Sequence, residues 1–321
     1  MGGDECRPPL NTITIKNKTF MKRFRLALTT ADRVVVTSLL VIILAAILTA
    51  SLTSCSRSDD DPLTEAPRDT MRQVTITFTF PDVSVRPMTR STLTEGQMTD
   101  LWLFDYLDGQ LISTIHQTPD DAAFGSIALT ADYGSHQLYF VASRGTDPTI
   151  SGTTITWAKP SDTFWASLAL DVAPGMSASQ PVALSRVATR LRVAITDEVP
   201  AALATLAITP AHWYCGLDYT TGLPTGDQQT VRTVSVPASY AGTAGQLVMS
   251  IFSLSAPDEW QTAVTVAALA SDGSTLASLS LSDVPLRRNR TTVYSGPLFS
   301  RQSALSVTLS DTWDDDYAVS W

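Results

Sequence analysis

The sequence predicts a mainly β protein, built of two β-sandwiches in tandem. Apolar and polar residues alternate with a period of two in many short segments, as they do in half-buried strands. Residues typical of turns separate these segments at intervals of roughly 8–12 residues, a spacing that favours β-sandwiches. No long segment has the period of a helix. Only residues 162–170 and 257–261 are expected to form a single turn or a short helix.

The first half of the β region begins with its most regular strand, residues 74–80, in which large apolar side chains alternate with threonines. A second strand covers residues 101–106. Asp108-Gly109 follows it and predicts a tight hairpin turn. The strands expected after this turn, in order, are residues 111–115, 137–142 and 167–172.

A boundary between the two halves is expected at residues 173–177, where Pro174 and Gly175 interrupt the strand pattern. Residues 73–180 are therefore assigned to an N-terminal β-sandwich and residues 181–321 to a C-terminal one. The strands expected in the second half are residues 187–196, 203–209, 230–236, 247–254, 263–270, 275–281, 290–294 and 305–309.

Residues 1–54 have the anatomy of a secretory signal and are excluded from the predicted fold. Basic residues precede an apolar run over residues 34–52, and small residues end it. Met21 is a natural start, so residues 1–20 are expected to be an extension upstream of the true start. Leu52-Thr53-Ser54-Cys55 resembles the bacterial lipobox, in which the cysteine receives the lipid. The alternative is an ordinary transmembrane anchor over residues 34–52.

Residues 55–72 predict a flexible acidic tether. They contain Asp59-Asp60-Asp61-Pro62 and too few apolar residues to form a core. The whole chain has a net charge of −9. This charge argues against binding to nucleic acid, which requires neutralisation of phosphates.

The sequence points to no catalytic residue, no metal site and no cofactor, and hence to a protein that is not an enzyme. His116, His136 and His212 lie far apart, without a metal-binding spacing. The carboxylate pairs Asp120-Asp121 and Asp258-Glu259 lie in polar, turn-like stretches. Convergence of two such groups across a cleft, as a glycosidase requires, cannot be seen in the sequence.

Four stretches together resemble the Bacteroidota fimbrillin superfamily, the FimA and FimB/Mfa proteins that build or anchor type V pili. The first is the lipobox. The second is the strand pair at residues 98–111, similar to an early strand pair of the family. The third is the Arg-containing strand at residues 184–193, and the fourth is the late strand at residues 284–296, with Arg288-Asn289 and Tyr294.

The resemblance implies two transthyretin-like, Greek-key β-sandwiches and a surface-exposed lipoprotein of the outer membrane, held by a lipid on Cys55. It implies other fimbrial subunits as partners, joined by β-strand addition. In polymerising members an Arg-specific protease removes the N-terminal strand, which here points to a cut at Arg90. The donor strand would come from the C-terminal segment, with Leu305, Val307 and Leu309. Thr70 matches an O-glycosylation acceptor pattern.

Two roles within the family remain open. An anchor would keep Cys55 and its lipid, and a stalk or tip subunit would lose the N-terminal segment at Arg90. Either role leaves room for ligands on host or bacterial surfaces. The alternative from another class is a surface glycan-binding lipoprotein, which would present at least two exposed aromatic rings in a row. Most of the seven tryptophans are expected in cores or turns instead.

Overall fold

The computed structural model describes residues 73–81, 97–176, 178–300 and 306–310. Within them, the chain forms twenty β-strands and one short 3₁₀ turn, Ala238–Tyr240. The strands belong to five sheets. The prediction of a mainly β fold built of sandwiches is confirmed.

Two sheets form the N-terminal sandwich. Sheet 1 has the order β4-β1-β9 and sheet 2 has the order β10-β8-β5-β2-β3. Their strands are β1 (Gln73–Thr79), β2 (Asp100–Leu107), β3 (Gln110–Gln117), β4 (Ser126–Asp132), β5 (Gly134–Ser143), β8 (Thr163–Val172), β9 (Ser179–Pro181) and β10 (Ser185–Arg186).

The core of this sandwich is made by alternate residues of facing strands. Side chains of β1 and β4 meet those of β2, β5 and β8 in one apolar cluster, which includes Phe78, Leu103 and Phe140, all at most 1% exposed. Because successive residues of a strand point to opposite faces, the period of two in the sequence decides which residues enter this core.

Two further sheets form the C-terminal sandwich around a second apolar cluster. Sheet 4 has the order β16-β11-β19-β20 and sheet 5 has the order β15-β12-β17-β18. Their strands are β11 (Ala188–Ile195), β12 (Leu203–Pro210), β15 (Arg232–Ser235), β16 (Leu247–Leu254), β17 (Trp260–Ala270), β18 (Thr275–Leu286), β19 (Thr291–Gly296) and β20 (Ser306–Ser310).

The remaining sheet, sheet 3, takes two strands from each half of the chain. Its order is β14-β13-β7-β6, and its strands are β6 (Thr146–Ser151), β7 (Thr154–Lys159), β13 (Tyr214–Asp218) and β14 (Leu223–Asp227). Side chains of β7 and β13 pack on the second face of sheet 2, so sheet 2 is covered on both faces. The domain boundary at residues 180/181 stays a prediction.

The hairpin expected at Asp108-Gly109 is confirmed. Both residues lie in the left-handed region, with φ of 50° and 76°, as a two-residue type I′ turn requires. Gly109 adopts this conformation without steric cost. The turn joins β2 to β3.

The two short helical turns considered in the sequence are wrong. Residues 163–170 belong to strand β8, and residues 257 and 258 form a bend before β17 begins at Trp260. Long-range pairing with β5, over ten residue pairs, outweighs the weak local preference of residues 162–170. Among the described residues, no helix has the length and apolar character needed to cross a membrane.

Candidate functional site

The first described strand, β1, lies in the middle of sheet 1. It pairs antiparallel with β4 over seven residues, from Gln73 opposite Asp132 to Thr79 opposite Ser126. On its other side it runs parallel to the short strand β9. Thr79 accepts a hydrogen bond from the Val182 amide at 2.8 Å. Both edges of β1 are therefore paired with strands that follow it in the chain.

The inward face of β1 fills the sandwich core. Ile76 and Phe78 have no exposed surface, and Phe80, just after the strand, is 7% exposed. The ring of Phe78 meets that of Phe140 edge-on, with 5.1 Å between the centroids, and Phe80 meets the same ring at 5.7 Å. Removing the whole strand would leave an apolar groove in sheet 1 between β4 and β9.

The outward face of β1 is polar and makes weaker contacts. The hydroxyls of Thr75 and Thr130 lie 3.0 Å apart, and the Gln73 side-chain amide donates to Asp132 at 2.9 Å. These exposed bonds add little to stability. Recognition of this strand therefore depends on its backbone and on its inward side chains.

Most of the processing sites predicted from the sequence lie outside the described residues. This applies to Cys55, Thr70 and Arg90. Arg90 lies in the sequence between β1 and every other described strand, so a cut there would separate β1 from all of them.

The predicted donor segment is seen in part. Residues 306–310 form β20, which pairs antiparallel with β19 at the edge of sheet 4 of the same chain. Leu309 is half-buried, the backbone of Val307 lies within β20, and Leu305 falls outside the described residues. Donation of this segment to another subunit stays a prediction.

A buried charged pair lies beside the start of β1. The Nδ1 atom of His136 is 2.7 Å from Oδ1 of Asp105, and both side chains are at most 1% exposed. The Nε2 atom is 2.9 Å from the carbonyl oxygen of Asp132, the residue opposite Gln73. Because a carbonyl oxygen only accepts, Nε2 carries a proton. One further proton lies between Nδ1 and Oδ1, and the pair has no net charge.

From the sequence, His136 was a candidate only for a metal ligand, and nothing connected it with Asp105. The sequence did contain a hint of this pair. Asp105 lies at alternate positions from Leu101 and Leu103, so its side chain points to the same face of the apolar run as theirs. A carboxylate at such a position requires a buried partner. His136 could not be identified as the partner of Asp105, because the pairing of β2 with β5 is not visible in the sequence.

The other predicted site residues do not converge. His116 binds Asp100 at 2.8 Å, and His212 binds Asp227 at 2.9 Å on the surface. Asp121 accepts a hydrogen bond from the Thr118 amide and so fixes a local turn. Asp120, Asp258 and Glu259 are exposed. No group of three residues able to hold a metal ion occurs among the described residues.

Aromatic residues form a buried layer between sheets 2 and 3. The rings of Phe104 and Tyr219 are stacked 3.7 Å apart, and the Tyr219 hydroxyl lies 3.0 Å from that of Tyr106. Trp102 and Trp157 are at most 1% exposed. In the part of the chain that the structure describes, no aromatic residue is exposed. The row of exposed rings that a glycan-binding protein would present is therefore not found there.

This aromatic layer predicts a loss of stability in alkali. Burial raises the pKa of Tyr219, and also those of Tyr139, Tyr214 and Tyr294. The folded state thus holds these protons more tightly than the unfolded chain. Their contribution to the free energy of unfolding is complete below pH of about 10 and falls as the pH rises above it. Urea unfolding, followed together with tyrosinate absorbance between neutral pH and pH of about 12, measures this.

The expected result is that tyrosinate absorbance from these residues appears together with unfolding. Tyr219→Phe should retain the stacked ring and remove one of the alkaline transitions. Full ionisation of all tyrosines near pH 10 in the folded protein would contradict the prediction.

Solved structures similar to this chain include proteins described as adhesins and as fimbrial proteins. No curated protein sequence matches the chain. A solved structure of a candidate adhesin from Bacteroides ovatus is 13% identical, with a TM-score of 0.46, over 75% of this chain and 95% of that one. A fimbrial assembly protein from Parabacteroides distasonis is 11% identical, with a TM-score of 0.42, over 74% and 99% of the two chains.

The tip fimbrial protein Mfa3 from Porphyromonas gingivalis, truncated at its C-terminus, is 10% identical, with a TM-score of 0.40, over 74% of this chain and 98% of that one. At the level of sequence families, residues 150–320 match a single family model. The matched region begins within β6 and includes β7, β13 and β14 of sheet 3 as well as the C-terminal sandwich. Because this region covers more than half of the 321 residues, the chain belongs to that family, which is described as a family of unknown function (DUF6562).

Proposed function

We propose that this chain is a non-catalytic subunit of a cell-surface fimbria and joins other fimbrial subunits by β-strand addition. The observation that supports the proposal is the position of β1 within sheet 1. This strand lies between β4 and β9 and supplies core side chains. It is followed by a segment that contains Arg90. Cleavage there would leave β1 held by non-covalent contacts alone.

Loss of β1 would create a site with defined chemistry. The backbone groups of β4 and β9 that now bond to β1 would be unpaired, and the core around Phe140 would open to water. An exposed strand edge beside an apolar strip binds an extended segment, with affinity from backbone hydrogen bonds and specificity from alternate side-chain pockets. A donor with apolar residues at alternate positions satisfies both requirements.

The C-terminal segment offers such a donor. Leu305, Val307 and Leu309 alternate in the same way as the inward residues of β1. In the chain by itself, residues 306–310 of this segment form edge strand β20, which is paired on one side by β19. An edge strand leaves fewer contacts behind than a central strand when it moves to a neighbouring subunit.

The lipid on Cys55 would hold the protein in the outer membrane. In an anchor subunit, Cys55 and β1 stay on the chain. The C-terminal donor segment or another surface of the subunit then makes the contact with the next fimbrial subunit. In a stalk or tip subunit, cleavage at Arg90 releases the lipid together with β1. Ligands on host or bacterial surfaces would then be contacted by the sandwiches of the assembled subunit.

Analysis of the protein from its native membrane tests the proposal and separates these two roles. Intact mass and the N-terminal sequence are measured. A lipid-modified Cys55 on the full chain supports the anchor, and a new N-terminus at Ser91 supports the polymerising subunit. An Arg90→Lys variant is the control, because it keeps the charge and blocks an Arg-specific protease. Recovery of a chain with neither feature would contradict the proposed function.

A further inference from the structure

Four arginines surround one open pocket, although the chain as a whole is acidic. Arg287, Arg288 and Arg290 belong to the turn between β18 and β19, and Arg186 belongs to β10. They line a pocket of about 540 Å³, together with Pro257 and other residues. Among the described residues that line it, none is acidic. We call this set of four side chains the arginine pocket.

Two of the four guanidinium groups are held in place by the protein. Arg186 binds Asp162 through two hydrogen bonds of 2.6 and 2.9 Å, and its guanidinium lies 4.6 Å from the centre of the Phe164 ring. Arg288 donates to the carbonyl oxygens of Ser255 at 2.9 Å and Gly222 at 2.6 Å. These contacts fix the positions of two positive charges before any ligand binds.

The charges of Arg287 and Arg288 are not balanced by a carboxylate among the described residues. Asp162 compensates Arg186, and the partners of Arg288 are neutral carbonyl groups. Arg287 is exposed, and its side chain has no hydrogen-bonding or ionic partner among the described residues. Asp258 and Glu259 follow Pro257 in the chain but do not line the pocket. A ligand with several carboxylates would complement this excess.

The sheet topology places the end of β20 near the pocket, and acidic residues follow that end in the sequence. In the antiparallel pair of β19 and β20, Ser310 lies opposite Thr291, and their Cα atoms are about 5 Å apart. Thr291 directly follows Arg290. The chain therefore leaves β20 beside the arginine turn, and its next residues are Asp311, Thr312, Trp313, Asp314, Asp315 and Asp316.

The residues that follow β20 are long enough to reach the pocket. Asp314 is four residues beyond Ser310, so its Cα atom can lie anywhere within about 14 Å of it. Arginine binds carboxylates through paired, charge-assisted hydrogen bonds, which are roughly twice as strong as those between neutral groups. The acidic segment thus has both the reach and the chemistry to enter the pocket.

We infer that the arginine pocket binds the carboxylates of this chain's own residues 311–316, and that this contact holds β20 on β19. β20 is a five-residue edge strand paired on one side alone, so a contact just beyond its end adds to its attachment. The contact is electrostatic, so it weakens as salt concentration rises. The inference does not depend on the proposed fimbrial function, because it concerns a contact within one chain.

Hydrogen exchange of the β20 amides in the full chain tests it. The variant D314N/D315N/D316N should speed exchange at residues 306–310 by about tenfold or more, since charged hydrogen bonds are lost. The matched control D59N/D60N/D61N makes the same change in charge within the predicted tether and should leave β20 unaffected. Raising the salt concentration should bring the unaltered protein towards the exchange rate of the tail variant.

A charge reversal in the pocket completes the test. Arg287→Glu changes an exposed side chain, so the fold should be retained, while β20 exchange should accelerate. Adding Asp315→Lys to that variant should restore slow exchange. The inference is overturned if the tail variant exchanges like the unaltered protein, or if the tether variant has an equal effect. Protection that grows with protein concentration would also overturn it, since the contact would then join two chains.

Discussion

A chain that begins at Ser91 is expected to lose most of its stability, because it lacks β1. Burial of a side chain such as Ile76 or Phe78 stabilises a fold by about 1.5–3 kcal/mol. Three such side chains, with Phe80 included, contribute together about 5–9 kcal/mol. This is comparable with the whole free energy of unfolding of an ordinary domain, about 5–15 kcal/mol. The unpaired edges of β4 and β9 add to the loss.

Circular dichroism during urea unfolding measures this effect, and a synthetic peptide of residues 73–81 gives the matched control. The peptide should restore a cooperative transition when added to the shortened chain. A peptide with Phe78→Ser, altered on the inward face, should fail. A peptide with Thr79→Ser, altered on the outward face, should succeed. Equal stability of the shortened and full-length chains would contradict the prediction, and so would equal rescue by both altered peptides.

The second large effect is expected at the buried pair of Asp105 and His136. Asp105→Ala would leave a histidine in the core without the group that shares its proton. Removal of one partner from a buried charged pair costs about 3–5 kcal/mol. The change also disturbs the end of β4 next to β1, because His136 binds the Asp132 carbonyl. The free energy of unfolding, measured with urea at neutral pH, should fall by this amount.

The surface pair of His212 and Asp227 provides the comparison. Its side chains are 61% and 39% exposed, and such pairs contribute about 0–1 kcal/mol. His212→Ala should therefore change the stability little. The double variant D105L/H136L should recover part of the loss caused by Asp105→Ala, because it removes the buried carboxylate and the imidazole together and leaves only the Asp132 carbonyl without its present donor. Similar losses from Asp105→Ala and His212→Ala would contradict the account of the core.

Local patterns in the sequence predicted much of the fold. The alternation in residues 74–80 identified β1 and its inward face, and Asp108-Gly109 identified the β2–β3 hairpin. The prediction for residues 247–254 matches the observed strand Leu247–Leu254. These elements share one property: the pattern of apolar residues or the turn chemistry is complete within a short segment.

Sheet 3 was not predicted, for a physical reason. Its central pair joins Thr154 to Asp218 and Ile155 to Leu217 across about sixty residues, and no local signal specifies such a pairing. Trp157 and Leu217 are completely buried, yet each lies in a short strand that contains small or polar residues. The uninterrupted apolar run at residues 101–104 was a usable signal, because it is typical of a strand covered on both faces.

The arginine pocket likewise combines local motifs that the sequence shows with a long-range contact that it does not show. In the sequence, Arg288-Asn289 and the Arg-containing strand at residues 184–193 are separate motifs. The bond of 3.0 Å from Arg186 to Asn289, which joins them, spans more than one hundred residues. The end of β20, which the acidic residues follow in the sequence, lies opposite Thr291 because of the register of β20 on β19, and the sequence does not determine that register.

Assembly of the purified chain after cleavage at Arg90 tests the central claim most directly. Light scattering with size-exclusion chromatography would follow the protein before and after treatment with an Arg-specific protease, beside a variant that lacks residues 305–321. The account predicts that the cleaved full chain forms oligomers, that the variant does not, and that excess peptide of residues 73–81 suppresses assembly. A cleaved chain that stays monomeric, or that assembles equally well without residues 305–321, would contradict strand addition.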